Sequence, residues 1–501
     1  MGWWRWFWRN LTSMRTALIL LLVLILAAIP GSVFPQRVAD PLAVNAWIDR
    51  NPGWGAFLDR LGMFDVFGTP WFAAIYLLLF ISLVGCVVPR CRQLWRQWRQ
   101  GPPAPPRRFG DRSHARRVEL PAEVPALDLA AAHLRQDRWR VQRGDGWVSA
   151  EKGFLREVGN LAFHLSMVAL LIAVGGGSLF GWRGNVIVPV GSGFANTLTQ
   201  YDAWGGGQFV DSAEIPPFAF TLEEFRVEFE RGPAQRGAPR AFEAEVLLQR
   251  EPGAAQESRT LRVNEPLRIA GADVYLIGHG YAPTITVTGP DGRTEFSDAV
   301  VFLPQDGSFT STGVVKLPDA RPQLAFNGIF APTAVLDENG PRSVFPAPDN
   351  PALFLSAFTG DLGLDAGEPQ SVYRLDTSGL EQLGLEALTP GQSWTLPDGT
   401  TVRFDGVQRW VSLQISHDPG RTWALVAVGL VLAGLMTSLF VPRRRIWVRT
   451  SGGGVLIGAV ARTENAAPAA EVDALADALT AAAPDAGGTL PAIPSRNGAD
   501  A

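Results

Sequence analysis

Four apolar stretches constrain this 501-residue chain more than anything else in it. A bilayer core of about 30 Å is crossed by roughly 20 mainly apolar residues in a helix, and residues 17–34, 71–88, 158–180 and 423–441 each meet that need. Pro30 falls in the last turns of the first stretch, where a missing hydrogen bond costs least. The second runs into Pro89-Arg90, which reads as its stop. The third ends in Gly175-Gly176-Gly177, read as flexible, and the fourth in Pro442-Arg443-Arg444-Arg445. Trp71, Trp182, Trp423 and Trp447 lie at or near these ends, where indole favours the headgroup layer. The first stretch is longer than the apolar part of a signal peptide and lacks a small-x-small cleavage site before Pro35-Gln36, so it reads as a retained span.

The formal charge of −4 hides opposite local signs. Arg5, Arg9 and Arg15 precede the first span, residues 90–157 carry 15 basic against 8 acidic residues, and Arg443, Arg444, Arg445 and Arg449 follow the fourth span. Basic residues near span ends stay in the cytoplasm, which places both termini inside. Residues 181–421, with 17 basic against 30 acidic residues, then lie outside. The expected protein is an integral inner (plasma) membrane α-helical protein with four transmembrane helices and a large extracytoplasmic β-rich domain. Its expected division is 1–34 for an N-terminal anchor and first span, 35–70 for a short external loop, 71–90 for the second span, and 91–157 for a basic cytoplasmic loop. The third span follows at 158–180, the external domain at 181–421, the fourth span at 422–442, and a disordered cytoplasmic tail at 443–501. That tail is Ala/Pro/Gly/Asp-rich from 463 onward.

Between the spans, Pro-rich 101–108 excludes a regular helix, 127–138 has helical spacing, and 139–150 reads as a hairpin turning at Gly144-Asp145-Gly146. In the external region, 218–229, 241–250, 260–263, 274–278 and 284–288 alternate like strands, and 402–416 reads as a final strand pair. Residues 304–395 read as loop-heavy with weak helical stretches such as 378–387. A sandwich-like or irregular β domain is the expectation.

The chemistry on offer is sparse. Two cysteines, Cys86 and Cys91, are spaced C-x4-C at the cytoplasmic end of the second span; this is neither a C-x-x-C redox pair nor a haem-attachment motif. No phosphate-binding loop, H-E-x-x-H or G-x-S-x-G motif is present, so no catalytic residue is assigned. Of five histidines, His164 stands out as seventh of 23 residues in the third span, on the order of 10 Å inside the inner boundary. Ionisable groups inside a span generally face the protein interior or a cavity. Its helix neighbours Asn160, Leu161, Val168 and Leu171 make a face of one polar residue and then apolar ones. A neutral imidazole there is either an axial ligand for haem iron or a histidine bonded to a neighbouring helix, and the residue alone favours the second. His279 reads as a solvated Gly-flanked turn, His417 as an interfacial linker, His114 and His133 as surface residues. The basic run 90–117 most simply attracts anionic lipid; without interleaved aromatics it is no nucleic-acid site. Trp3, Trp4, Trp6, Phe7 and Trp8 read as an interfacial anchor.

The stretch Leu11-Thr12-Ser13-Met14-Arg15-Thr16-Ala17, with Ile29-Pro30-Gly31-Ser32 and Pro35-Gln36, resembles the ResB family (also called CcsB) of cytochrome c biogenesis proteins. So do Leu61 to Val66, Trp71-Phe72, Leu83 to Cys86, Gly153 to Gly159, Phe163-His164-Leu165, Val263 to Leu267, Tyr275 to Pro283, and Phe440 to Arg449. The resemblance implies a role in system II assembly, in which a ResC/CcsA-type membrane partner and this chain carry haem outward and present it to apocytochrome c. At most, the chain would be one subunit of a haem lyase complex. The resemblance also implies that His164 ligates haem b, held transiently and shared with the partner, and that a thiol-reducing protein acts on the outer side. The partner is expected to hold the W-G-x-x-W-x-W-D run, which is missing here. The rival expectation is a membrane-anchored extracytoplasmic sensor or scaffold without haem handling. A small-solute transporter is disfavoured, because four spans offer no paired broken-helix repeat.

Overall fold

The structure, a computed structural model, describes residues 2–39, 41–106, 114–121, 123–211, 213, 215–338, 340–364, 373–461 and 468–482. The chain forms two compact units. One comprises Met1–Phe34, Leu58–Gly175 and Gly420–Ala501, the other Pro35–Phe57 and Gly176–Pro419. The α-helices among the described residues are, in chain order, α1 (Gly2–Leu11), α2 (Met14–Val33), α3 (Pro41–Arg50), α4 (Pro52–Arg60), α5 (Pro70–Gln100), α6 (Ala126–Gln136), α7 (Leu155–Phe180), α8 (Arg421–Phe440) and α9 (Pro468–Ala481). Helices α2, α5, α7 and α8 are long and apolar enough to cross a membrane, and they coincide with the four apolar stretches. The segment 35–70, expected as a loop, holds α3 and α4.

Local chemistry sets the helix starts. Ser13 Oγ accepts the Thr16 N–H at the head of α2, and Thr69 Oγ1 accepts the Phe72 N–H where Pro70 opens α5; both are preferred N-terminal arrangements. One expectation fails at the other end of α5. The helix runs through Pro89 to Gln100, 31 residues in all. A proline forfeits one backbone bond, and the Arg, Gln and Leu residues after it are good helix formers, so the ladder resumes. Helix α7 likewise runs on through its three glycines to Phe180.

Within the first unit, Ser82 and Cys86 of α5 donate to the carbonyls of Leu11 and Thr12. Helices α7 and α8 approach most closely where Gly434 meets the backbone of Gly159 and Phe163; a Cβ on Gly434 would stand 2.6 Å from Phe163 N. Small residues that let backbones approach in this way are the usual basis of packing between apolar helices.

A five-stranded antiparallel sheet completes this unit, in the order Ala115–Glu119, Gly454–Ala461, Arg444–Ser451, Trp147–Lys152, Arg140–Gly144. The expected helix and hairpin are there, as α6 and the last two strands. The expected disordered tail at 443–501 is corrected: its first part supplies two central strands, and Pro468–Ala481 is a helix. The reason is visible in burial. Ile446, Val448, Val455, Ile457 and Ala459 alternate inward, and Val472, Leu475, Ala476 and Leu479 repeat at helical spacing, all in one core with Ala130, Leu134 and Val148. Low-complexity composition masks two regular periods. Residues 462–467 and 483–501 lie outside the described residues.

The second unit is β-rich, as expected, but better ordered. Two 17-residue strands, Ala272–Thr288 and Thr401–His417, pair antiparallel along their whole length. One half of each (Val274, Leu276; Val411, Leu413, Ile415) packs into a core with the four-stranded sheet built on Ala219–Phe229 and Pro239–Gln249. The other half (Tyr281, Ile285, Val287; Val402, Phe404) packs with the five-stranded sheet containing Ser311–Leu317, Leu324–Ala331 and Ala352–Thr359. The unit is therefore two sandwich-like lobes sharing one strand pair. Residues 274–278 and 284–288, expected as separate strands, are one strand, and 402–416, expected as a pair, is another. The region 304–395 is strand-rich; 378–387 falls on the strand Glu381–Leu388, not on a helix.

Candidate functional site

Helix spacing assembles the site in the first unit. On α7, Glu157, Asn160, Leu161 and His164 fall at i, i+3, i+4 and i+7, which puts them on one stripe. On α5, Arg90, Gln93, Leu94 and Gln97 repeat the same spacing in the stretch after Pro89. The two stripes face a cavity of about 680 Å³ that Arg443, Arg445, Val460 and Ala461 close from the sheet side. All of these residues except His164 line it. His164 stands one turn beyond Asn160 on the same stripe.

The imidazole is half-buried and held at both nitrogens. His164 Nδ1 lies 2.7 Å from the Asn160 carbonyl oxygen, which can only accept, so this nitrogen carries the proton. The lone pair is then on Nε2, 3.5 Å from Arg90 Nη1. A metal-binding histidine is typically oriented in this way, its second N–H fixed on a backbone carbonyl. Arg90 Nη1 also reaches Asn160 Oδ1 at 3.4 Å, and the Phe163 ring stands edge-on to the imidazole, 5.1 Å between centroids. Nε2 is the nitrogen through which this residue could hold a haem iron, once Arg90 moves aside.

Below His164 the charges are paired. Arg443, 9% exposed, donates to Glu157 at 2.8 Å and to Glu151 at 3.0 Å, and Glu151, 1% exposed, also takes Arg445 at 3.4 Å. Burial pushes the Arg445 pKa down, the neighbouring Arg443 adding to the effect. This network joins the first turn of α7, the residues after α8 and the strand Trp147–Lys152.

The other expected candidates fall elsewhere. His279 is not in a solvated turn. It sits mid-strand between the rings of Phe225, Phe229, Phe242 and Phe309, stacked on the last at 4.7 Å. Burial, and secondarily Arg409, brings its pKa down to about 4. His417 ends its strand with Nδ1 2.7 Å from the Gly271 carbonyl oxygen. His133 lies 3.8 Å from Asp137, and both cysteines are free thiols. No group of three or more His, Cys, Asp or Glu suited to a metal ion occurs among the described residues. Arg90, Asn160 and Glu157 give a sequence signal only as a polar stripe at the end of an apolar run; Arg443 and Arg445 give none.

Comparison with known proteins decides the kinship. The model of the ResB-like family matches residues 14–473. The chain belongs to the ResB-like family. Among its relatives, the cytochrome c biogenesis protein CcsB of Synechococcus sp. (strain CC9311) is 25% identical over 448 residues, covering 87% of this chain and 88% of that protein. The CcsB of Thermosynechococcus vestitus is 25% identical over 492 residues, 95% of each chain. That of Prochlorococcus marinus (strain MIT 9313) is 28% identical over 285 residues, 53% of this chain and 59% of the relative. The match thus spans the four long apolar helices, the β-rich unit, both C-terminal strands and the first six residues of α9.

Proposed function

We propose that this ResB-like chain serves cytochrome c biogenesis by handling haem: with a ResC/CcsA-type membrane partner it takes haem from the cytoplasmic side and presents it outside for attachment to apocytochrome c. In this reading α2, α5, α7 and α8 cross the plasma membrane with both termini inside, the basic residues between α5 and α7 lie against anionic lipid, and the β-rich unit is extracytoplasmic. The role in biogenesis is supported by relatives of that name matching nearly end to end. The role in haem handling rests on one observation, the fixed Nε2 lone pair of His164 beside a polar cavity.

The work of each residue follows from its place. The Asn160 carbonyl holds Nδ1–H and so directs Nε2, the nitrogen that would hold the haem iron. A histidine of the partner is the proposed second ligand, so that capture depends on the two chains assembling. Haem, when bound, would supply the iron and two carboxylates. The Arg443–Glu151–Glu157 network anchors the first turn of α7 and with it the height of His164. Residues 181–421 contain no cysteine, so reduction of the apocytochrome thiols belongs to a separate thiol-reducing protein, and the outer unit docks it, the partner or the substrate.

The test is the haem spectrum of the co-purified complex with His164→Gly. Loss of haem that added imidazole restores supports the ligand. Unchanged haem content and no response to imidazole would sink it. Deletion of the gene should remove covalent haem staining from all membrane c-type cytochromes; normal staining would instead favour an extracytoplasmic sensor or scaffold.

A further inference from the structure

The cavity beside His164 holds one cation whose charge nothing answers. Arg443 and Arg445 share Glu151 and Glu157 between them. Arg90 has no such partner: its side-chain contacts are Asn160 Oδ1 at 3.4 Å, His164 Nε2 at 3.5 Å and the sulfur of Met14, none of them an anion. Two of these are at the outer limit of hydrogen bonding, for a group that carries five N–H donors. No carboxylate stands within ion-pair distance of it among the described residues. A half-buried guanidinium with five N–H donors and no anion beside it has hydrogen-bonding capacity to spare, so the position can take an anion from elsewhere.

We infer that Arg90 is a carboxylate-binding residue that takes a propionate of the haem whose iron His164 ligates. This rests on the haem reading above and says which end of the molecule faces where. The stripe geometry gives the scale. The α7 wall of the cavity runs from Glu157 to Leu161, so it begins within a turn of His164, roughly 5 Å along the helix, and reaches roughly 10 Å from it at Glu157. Leu94, Leu161, Val460 and Ala461 give it apolar wall, while Arg90, Gln93 and Gln97 give it donors. Arg90 touches both ends of this arrangement. It caps Nε2 in the present conformation, and in turning to a carboxylate it would release that nitrogen for iron. The side chain is thus a positioning residue for the ligand nitrogen as well as a binding residue for the anion, and the site prefers a planar dicarboxylate over its neutral ester.

A single set of titrations tests this. The full chain in zwitterionic detergent is titrated with haem and with haem dimethyl ester, read by the Soret shift, in the wild type and in Arg90→Gln and Arg90→Lys. An ionic hydrogen bond lost with one partner costs roughly a tenfold or greater factor in affinity. The wild type should therefore prefer haem over its ester by about that factor. Arg90→Gln should bring the preference near unity without weakening the ester, and Arg90→Lys should keep part of it. A wild-type gel-filtration profile and thermal unfolding curve for Arg90→Gln are the control for folding, because uncapping Nε2 is itself expected to hold or strengthen ester binding. A preference that survives Arg90→Gln, or equal loss of haem and ester, overturns the proposal. The anion could instead come from a lipid headgroup, so the wild-type titration is repeated with phosphatidylglycerol in the micelles. Retention of the preference supports the propionate; its collapse assigns the cavity to lipid and overturns it. Failure of the parent reading looks different, because His164→Gly would then leave both Soret titrations unaltered whatever Arg90 does.

Discussion

Two histidines, one on α7 and one on the long strand Ala272–Thr288, show how differently the two units treat the same side chain. His164 is half-buried, with a carbonyl at one nitrogen and a guanidinium near the other. His279 is among four phenylalanine rings. The helical unit concentrates polar groups into one continuous stripe and leaves a cavity beside it. The β-rich unit fills the junction of its two lobes with rings. Burial alone does not mark a histidine as a candidate ligand; an oriented ring nitrogen within a turn of a cavity does. His279 helps to close the seam between two cores, where a neutral ring stacks as an aromatic.

The contrast can be broken most forcefully at Arg443. In Arg443→Met the Glu151 carboxylate, 1% exposed, loses its shortest partner but keeps Arg140 and Arg445, and with the bond to Glu157 also gone the cost should be about 3 kcal/mol, the range of charged hydrogen bonds rather than of an unpaired buried ion. Thermal unfolding followed by tryptophan fluorescence should show a larger drop for this variant than for any substitution at His279 or His164. A drop under ~1 kcal/mol, the range of an exposed pair, would mean that the network is solvated and that the helical unit does not depend on it.

His279 gives the next largest effect, and it is a pH effect. Its folded pKa is about 4 against an ordinary 6.5, so below pH 6.5 the unfolded chain binds the proton more readily than the folded one. The stability tied to its neutral form is complete above 6.5 and declines progressively until pH 4. With allowance for its partial exposure, the decline is about 2 kcal/mol. His279→Phe should remove that part of the acid sensitivity in a pH series of denaturant unfolding. An identical pH series in the variant would place His279 in contact with water.

His164 should matter least for stability and most for ligand. It makes one close hydrogen bond, to a carbonyl of its own helix, and losing a bond of that kind costs about 1 kcal/mol or less. His164→Leu should therefore melt within a few degrees of the wild type while losing its haem spectrum. A variant that unfolds would make the residue architectural, the reading that the residue type alone favours.

Much of the framework is readable in the sequence, because an apolar run long enough to span a bilayer is a strong one-dimensional signal. The four long helices coincide with those runs, and the small helix and hairpin at 126–152 follow their local periods. The features that are hidden depend on partners distant in the chain. Residues 444–461 look like a loose tail until the strand Trp147–Lys152 is beside them. The two long strands read as shorter pieces because Gly278, Gly280 and Gly406 interrupt the alternation, and pairing over 17 residues carries the backbone across those gaps. The site shows the same division. His164 is conspicuous as the one titratable side chain inside its apolar run. Arg90 is one arginine among many, and only the continuation of α5 through Pro89 brings it to the imidazole.

The sheet of the first unit has a consequence in time. Its strands at 444–461 are made long after their neighbours at 115–119 and 147–152. At roughly 5–20 residues per second, on the order of half a minute of synthesis separates the two halves. Until then the strand Trp147–Lys152 has one unpaired edge, and Glu151 has neither Arg443 nor Arg445. The sheet can therefore close only when the last apolar helix has been made and its following residues are on the same side as the earlier strands. A chain threaded the wrong way round, or ended early, keeps an open strand edge and a Glu151 with Arg140 as its one arginine partner, and the open edge is a feature that a quality-control protease or chaperone could read.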